Sequence, residues 1–173
     1  MANGSEYKNI IVSFGPKDAE RLIVGAHYDV CSHQDGADDN ASGTAGIIEL
    51  ARMLKWKSPA LEYRIDLVAY TLEEPPFFRT EGMGSAVHAK SLHDAGVEVK
   101  GMVCLEMIGY FSDERGSQDY PIGCLKLFYP TKGNYIALVG KLGKSKILRQ
   151  TRRKMKKETE TKIKSITAPA WVP

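Results

Sequence analysis

Residues 21–29 read Arg21-Leu22-Ile23-Val24-Gly25-Ala26-His27-Tyr28-Asp29. A short aliphatic and β-branched run with polar residues at both ends predicts a buried strand over Arg21–His27. His27 closes that strand, and Asp29 follows two residues later. In extended chain, residues i and i+2 point to the same side, so a carboxylate at Asp29 can hold the His27 imidazole in one tautomer. Taken alone, the pair is read most simply as a structural histidine with its polar atoms satisfied.

Upstream, Tyr7–Phe14 is a second β-branched run, separated from the first by Gly15-Pro16 and a polar turn, so the two suggest a strand pair. Downstream, Ile47, Ile48, Ala51 and Leu54 recur at helical spacing between Ser42 and Lys55. Tyr63–Leu72 reads as a strand, Met83–Ala95 as a helix and Val97–Met107 as another buried strand. Gly133-Asn134 then introduces a strand at Tyr135–Val139, followed by a helix over Lys141–Lys157. Strands alternating with helices predict an α/β fold: a mixed, mostly parallel sheet with helices on both faces. In such sheets the chemistry gathers where strands end and loops begin.

At 173 residues the chain fits one domain, 1–173, with 141–173 a basic helix and tail of that same domain. Its apolar stretches are far shorter than the ~20 residues of a membrane span, and the N-terminus has no signal-peptide core, so the expectation is a cytoplasmic chain with no membrane partner. Three cysteines, Cys31, Cys104 and Cys124, form no C-x-x-C pair, which argues against a disulfide framework and against a thiolate zinc site. The net charge of +3 conceals an asymmetry. Eleven Lys or Arg lie between Lys141 and Lys164 against only Glu158 and Glu160, so the rest of the chain is acidic. The basic segment lacks interleaved aromatics and any nucleic-acid motif; it reads as a solvated helix face, with no nucleic-acid partner.

The strong metal-ligand residue types all sit at element ends. Asp38-Asp39-Asn40 precedes the first helix, where Asp and Asn also serve as caps and turn formers. Glu73-Glu74 closes the third strand. Two successive carboxylates leaving a core together need a cation or a shared proton, unless they form a solvent-exposed acidic turn before Pro75-Pro76. Glu106 lies in the apolar run Met102–Ile108, where an unpaired carboxylate would be costly.

The order His27-x-Asp29, Gly36-Ala37-Asp38-Asp39-Asn40-Ala41-Ser42-Gly43, Glu73-Glu74 and Leu105-Glu106-Met107-Ile108-Gly109 resembles the co-catalytic di-zinc aminopeptidases, relatives of glutamate carboxypeptidase II and glutaminyl cyclase. The resemblance runs from about Asn9 to at least Gly140. It implies that His27 and Glu106 bind one zinc, that Asp39 bridges two, and that Glu74 binds the second. It also implies Glu73 as general base, Asp29 as the residue orienting His27, and a cis peptide after Asp39. The implied activity is aminopeptidase hydrolysis of peptide or aminoacyl substrates by a zinc-activated water. The alternatives are a glutaminyl-cyclase-like single-zinc acyl transfer, or a non-catalytic peptidase-like module or inactive fragment.

Two departures from the family pattern stand out. Glu106 occupies a position more often held by Asp. The family's final histidine ligand also has no counterpart, because nothing after His93 is histidine. The resemblance therefore implies a zinc-peptidase fold incomplete at its C-terminus, with two zinc ions in the complete enzyme and one in this chain. Such a chain is expected to be weakly active or inactive, and to self-associate through apolar surface left near Trp171 and Val172. Phe77, Phe78 and Tyr110 are candidates to line a side-chain pocket.

Overall fold

The protein was analysed as a computed structural model that describes residues 4–120, 127, 129–143 and 145–168. Cys124, Trp171 and Val172 lie outside these residues. The chain divides into two compact units, Met1–Gly109 and Tyr110–Pro173.

The first unit is built on a four-stranded sheet of order β1-β3-β2-β4, with β1 at Ile10–Phe14, β2 at Arg21–His27, β3 at Arg64–Tyr70 and β4 at Val99–Cys104. β2 runs parallel to both β3 and β4, and β1 pairs antiparallel with β3. β2 occupies the residues its aliphatic run predicts. The run at Tyr7 forms a strand only from Ile10 onward, and it pairs with β3 rather than with β2, the partner that its neighbour in sequence suggested. The Asn9 amide just before it donates to Gly84 O and accepts from Thr71 N–H.

Pairing Ile23 with Asp66, Gly25 with Val68 and His27 with Tyr70 places these six residues on one side of the sheet. Helix α2 (Gly84–Asp94) covers that side, its Leu92 packing with Ile23, Val68 and Tyr70. Gly25 is required here, since a Cβ would collide with the Tyr70 ring. Helix α1 (Gly43–Lys57) packs on β2 and β3 and buries Ile47. Its side is the one lined by Ala26 and Leu67, so helices flank both faces.

Two buried polar groups lie under α2. Asp66 is fully buried and receives Ser13 Oγ at 2.6 Å, Arg64 Nε at 2.9 Å and an Arg21 guanidinium nitrogen at 3.0 Å. Burial alone would raise its pKa, but these donors outweigh it and hold the carboxyl below its ordinary value. His88 Nδ1 lies 2.9 Å from the Tyr70 hydroxyl. Burial pushes Tyr70 up to about 12, so the phenol keeps its proton and donates it to His88. Burial, reinforced by Arg21 and opposed by Asp66, keeps His88 below its usual pKa and therefore neutral.

β4 departs from expectation. Its apolar sequence predicts a buried strand, yet Val99, Met102 and Val103 are exposed. The reason is topological: β4 ends the sheet and has β2 as its only neighbour among the described residues.

In the second unit, β5 (Tyr135–Lys141) and β6 (Lys162–Ala168) pair in parallel, joined by helix α3 (Ser145–Glu158). Leu148 of α3 packs against Gly140, and Ile163 is buried. Lys146, Arg153, Lys154, Lys156 and Lys157 face solvent, as the reading of a solvated basic face requires. The second strand, β6, is an addition to the sequence reading. Its Lys162-Ile163-Lys164 alternation is short and hidden within the basic run. Among the described residues no helix is long and apolar enough to cross a membrane.

Candidate metal centre

The parallel strands β2, β3 and β4 deliver the candidate residues to one edge of the sheet. His27 ends β2 itself, Asp29 and Asp39 follow it, and Glu73, Glu74 and Glu106 lie in the loops just past β3 and β4. Leu72 precedes the Glu73-Glu74 pair and Met107 follows Glu106, and both adopt left-handed backbone (φ 57° and 46°). Bulky residues pay for that conformation, which turns the chain sharply beside each ligand-type carboxylate. Asp39 sits in a wide, distorted turn, Ala37–Ser42, that leads into α1, and the Asp39–Asn40 peptide is cis, in line with the family pattern.

His27 is the hub, buried to 3% exposure. Its Nδ1 lies 3.1 Å from the Asp29 backbone carbonyl and 3.5 Å from the Asp29 carboxylate. The shorter contact is thus to the main chain, with the carboxylate beside it. The other Asp29 oxygen, Oδ2, accepts the Glu74 backbone N–H at 3.1 Å and so ties the β2 and β3 loops together. With Nδ1–H donated to Asp29, the Nε2 lone pair points into a ring of carboxylates: Asp39 Oδ1 at 3.0 Å, Glu106 Oε1 at 3.4 Å and Glu73 Oε2 at 3.9 Å.

Such a ring repels itself. Burial, together with Glu106, Glu74 and Asp29, raises the pKa of Glu73 against the pull of His27. Burial and the neighbouring acids likewise raise Glu74 and Glu106. Burial opposes a charge on His27, but Glu106, Glu73 and Asp29 outweigh it and raise that pKa too. The whole arrangement calls for positive charge.

A metal ion meets that demand. Two groups of ligand atoms, His27–Asp39–Glu106 and His27–Glu73–Glu74, each lie within 4.8 Å of one another. Glu74 Oε1 and Asp29 Oδ1 are buried without a hydrogen-bond partner. Imidazole nitrogen and carboxylate oxygens are the donor set zinc accepts, and the unpartnered Glu74 Oε1 fits it, whereas Asp29 Oδ1 lies on the Nδ1 side of His27. All six residues singled out in the sequence (His27, Asp29, Asp39, Glu73, Glu74 and Glu106) therefore converge.

The other histidines lie elsewhere: His88 is committed to Tyr70, while His33 and His93 are exposed. Phe77 is half-buried, and Phe78 is exposed with the Arg79 guanidinium 5.8 Å from its ring centroid. Tyr110 is exposed and begins the second unit.

Sequence reasoning gave no site role to Asp38 and Asn40, for which caps or turns were the ordinary explanation, nor to Ser42, which it read only as the start of the first helix. Asn40 is in fact 1% exposed. Its amide reaches Leu105 O and Glu106, contacts that no local pattern reveals.

A flanked, mostly parallel sheet with one histidine and several carboxylates gathered at its strand ends defines an α/β protein with a candidate metal site. The chain belongs to Peptidase family M28, whose profile matches residues 9–165. It is 43% identical over 178 residues to the uncharacterized protein YfbL of Escherichia coli strain K12, an alignment covering 98% of this chain and 54% of that one. A probable zinc metalloprotease of Pyricularia oryzae is 33% identical over 121 residues, covering 64% of this chain and 23% of its own length. Leucine aminopeptidase 1 of Arthroderma otae is 31% identical over 111 residues, 59% of this chain and 29% of that enzyme. Among solved structures, LapB of Legionella pneumophila matches with a TM-score of 0.68 at 20% identity, over 96% of this chain and 40% of LapB, and confirms the fold. The chain thus spans about half the length of YfbL and less of the other relatives.

Proposed function

We propose that the chain carries the metal centre of a zinc-dependent aminopeptidase and acts on the N-terminal bond of peptide or aminoacyl substrates. The observation that carries this reading is the ring of Asp39, Glu106 and Glu73 around His27 Nε2, with Glu74 Oε1 buried and unpartnered nearby. The named zinc metalloprotease and leucine aminopeptidase relatives support it. The family profile runs through both compact units, which supports treating 1–173 as one peptidase domain.

In this reading His27, Asp39 and Glu106 hold one ion, and Glu74 with Asp39 forms a weaker second position. Zinc bound there supplies Lewis-acid polarisation of a substrate carbonyl and makes a water easier to deprotonate. The remaining work falls to the chain. Asp29 fixes the His27 tautomer through its carbonyl. Glu73, its pKa raised by burial and by the neighbouring acids, accepts the proton of the attacking water on its carboxylate and returns it to the leaving amine nitrogen.

Zinc reconstitution followed by elemental analysis tests the centre. One tightly held ion per chain is expected, and it should be lost in His27→Ala. Absence of divalent metal from the reconstituted wild-type chain, or undiminished binding by the variant, would overturn the assignment.

A further inference from the structure

The turn that presents Asp39 also grips the loop after β4. Asp38 Oδ1 accepts the Gly109 N–H at 2.8 Å, and Ser42 Oγ accepts the Ile108 N–H at 3.0 Å. Between them stands Asn40. Its Oδ1 accepts the Gly43 N–H at 3.0 Å and faces the Met107 N–H at 3.4 Å. Its Nδ2 donates to Leu105 O at 2.9 Å and lies 3.3 Å from Glu106 Oε2. The fit leaves no slack: a Cβ on Gly43 would strike both Asn40 Oδ1 and Leu105 O, and one on Gly109 would come within 2.7 Å of Ser42 Cβ.

An ordinary helix cap accounts for the bond from Gly43 N–H to Oδ1, but not for the use of Nδ2. That group reaches a strand end 65 residues away in sequence and holds one oxygen of Glu106. The other oxygen, Oε1, is the one turned toward His27 Nε2. Asn40 therefore sits between two residues assigned as ligands, joined to Asp39 by a peptide bond and to Glu106 by a side-chain contact. We propose that Asn40 is a positioning residue that fixes the Glu106 carboxylate relative to Asp39 so that both reach an ion held by His27, with Asp38 and Ser42 bracing the loop. This rests on the metal-centre reading above.

The test uses the full chain, with zinc affinity measured by competition against a chromophoric chelator and geometry reported by the visible spectrum of bound cobalt(II). Asn40→Ala should weaken zinc binding about 10–100-fold, as expected for removing a partner that orients a ligand, and should change the cobalt spectrum. Asn40→Asp can still accept from Gly43 N–H but cannot donate to Leu105 O or Glu106 when ionised, so it should not restore binding. Leu67→Ala, which only loosens the core, should lower stability and leave the cobalt spectrum unchanged. In the metal-free chain, Asn40→Ala should also speed amide hydrogen exchange at residues 107–109.

If wild type binds metal and Asn40→Ala matches it in affinity and spectrum, the inference is overturned. Unchanged exchange at residues 107–109 likewise overturns it. A wild-type chain that takes up neither ion overturns the metal-centre reading itself, and this inference with it.

Discussion

Glu73 and Glu74 are neighbours in sequence with different surroundings. Glu73 Oε2 stands 3.9 Å from His27 Nε2. Glu74 is pinned by its backbone N–H to Asp29, and its Oε1 is buried without a partner. On the proposed reading the first moves a proton and the second holds a cation. If the chain turns over substrate as proposed, Glu73→Gln should keep its zinc while turnover falls by about 100-fold, the lower bound for losing a general base. Glu74→Ala should lose metal instead. Elemental analysis beside hydrolysis of an aminoacyl-nitroanilide separates the two, and near-normal turnover by Glu73→Gln would remove it as the base. Except for Glu106, each ligand-type residue alone had an ordinary explanation as a structural histidine, a cap or an exposed turn, and the set became legible only through the order of its motifs and their resemblance to a known family. Asn40 did not, because as a cap and as a brace it has the same local sequence, and what distinguishes the two lies beyond residue 100.

Element by element, the helices and the inner strands follow their sequence periods closely. Burial is another matter, since it depends on which strands become neighbours. β4 looked like a core strand from its composition and became an edge. Among the described residues β1 is the opposite edge, where Ile10, Ile11 and Val12 are 64%, 45% and 44% exposed. An uncharged, apolar strand with an open hydrogen-bonding edge invites pairing with another chain, and edges are ordinarily blunted by charge. The expected outcome is concentration-dependent association, seen by size-exclusion chromatography with light scattering. Val12→Lys should reduce it while costing little stability, because Val12 is already half in solvent. Association undiminished by Val12→Lys would place the contact elsewhere.

At the scale of the whole molecule, the six described residues of the candidate metal centre belong to the Met1–Gly109 unit, while the Tyr110–Pro173 unit carries the basic helix α3. The charge asymmetry was visible in sequence, but the boundary was not, since no Pro/Gly-rich linker marks it. The buried Tyr70–His88 pair has a consequence for how the folded chain trades protons with solvent. His88 has a lowered pKa, so the stability it contributes is complete above about pH 6.5 and is lost as pH falls toward its folded value. His27 has a raised pKa, so its contribution is complete below about pH 6.5 and is lost as pH rises through its folded value. In the metal-free chain the two windows therefore lie on either side of about pH 6.5, and the melting temperature should peak there, falling toward acid through His88 and toward alkali through His27. On the proposed reading zinc would take the His27 lone pair and remove the alkaline limb. Melting of the zinc-loaded chain should then lack the fall above about pH 6.5 while still dropping on acidification, a drop that His88→Gln should soften; the same pH profile with and without zinc would refute this. Each histidine thus sets one side of a single optimum, and the metal would lift one of the two limits.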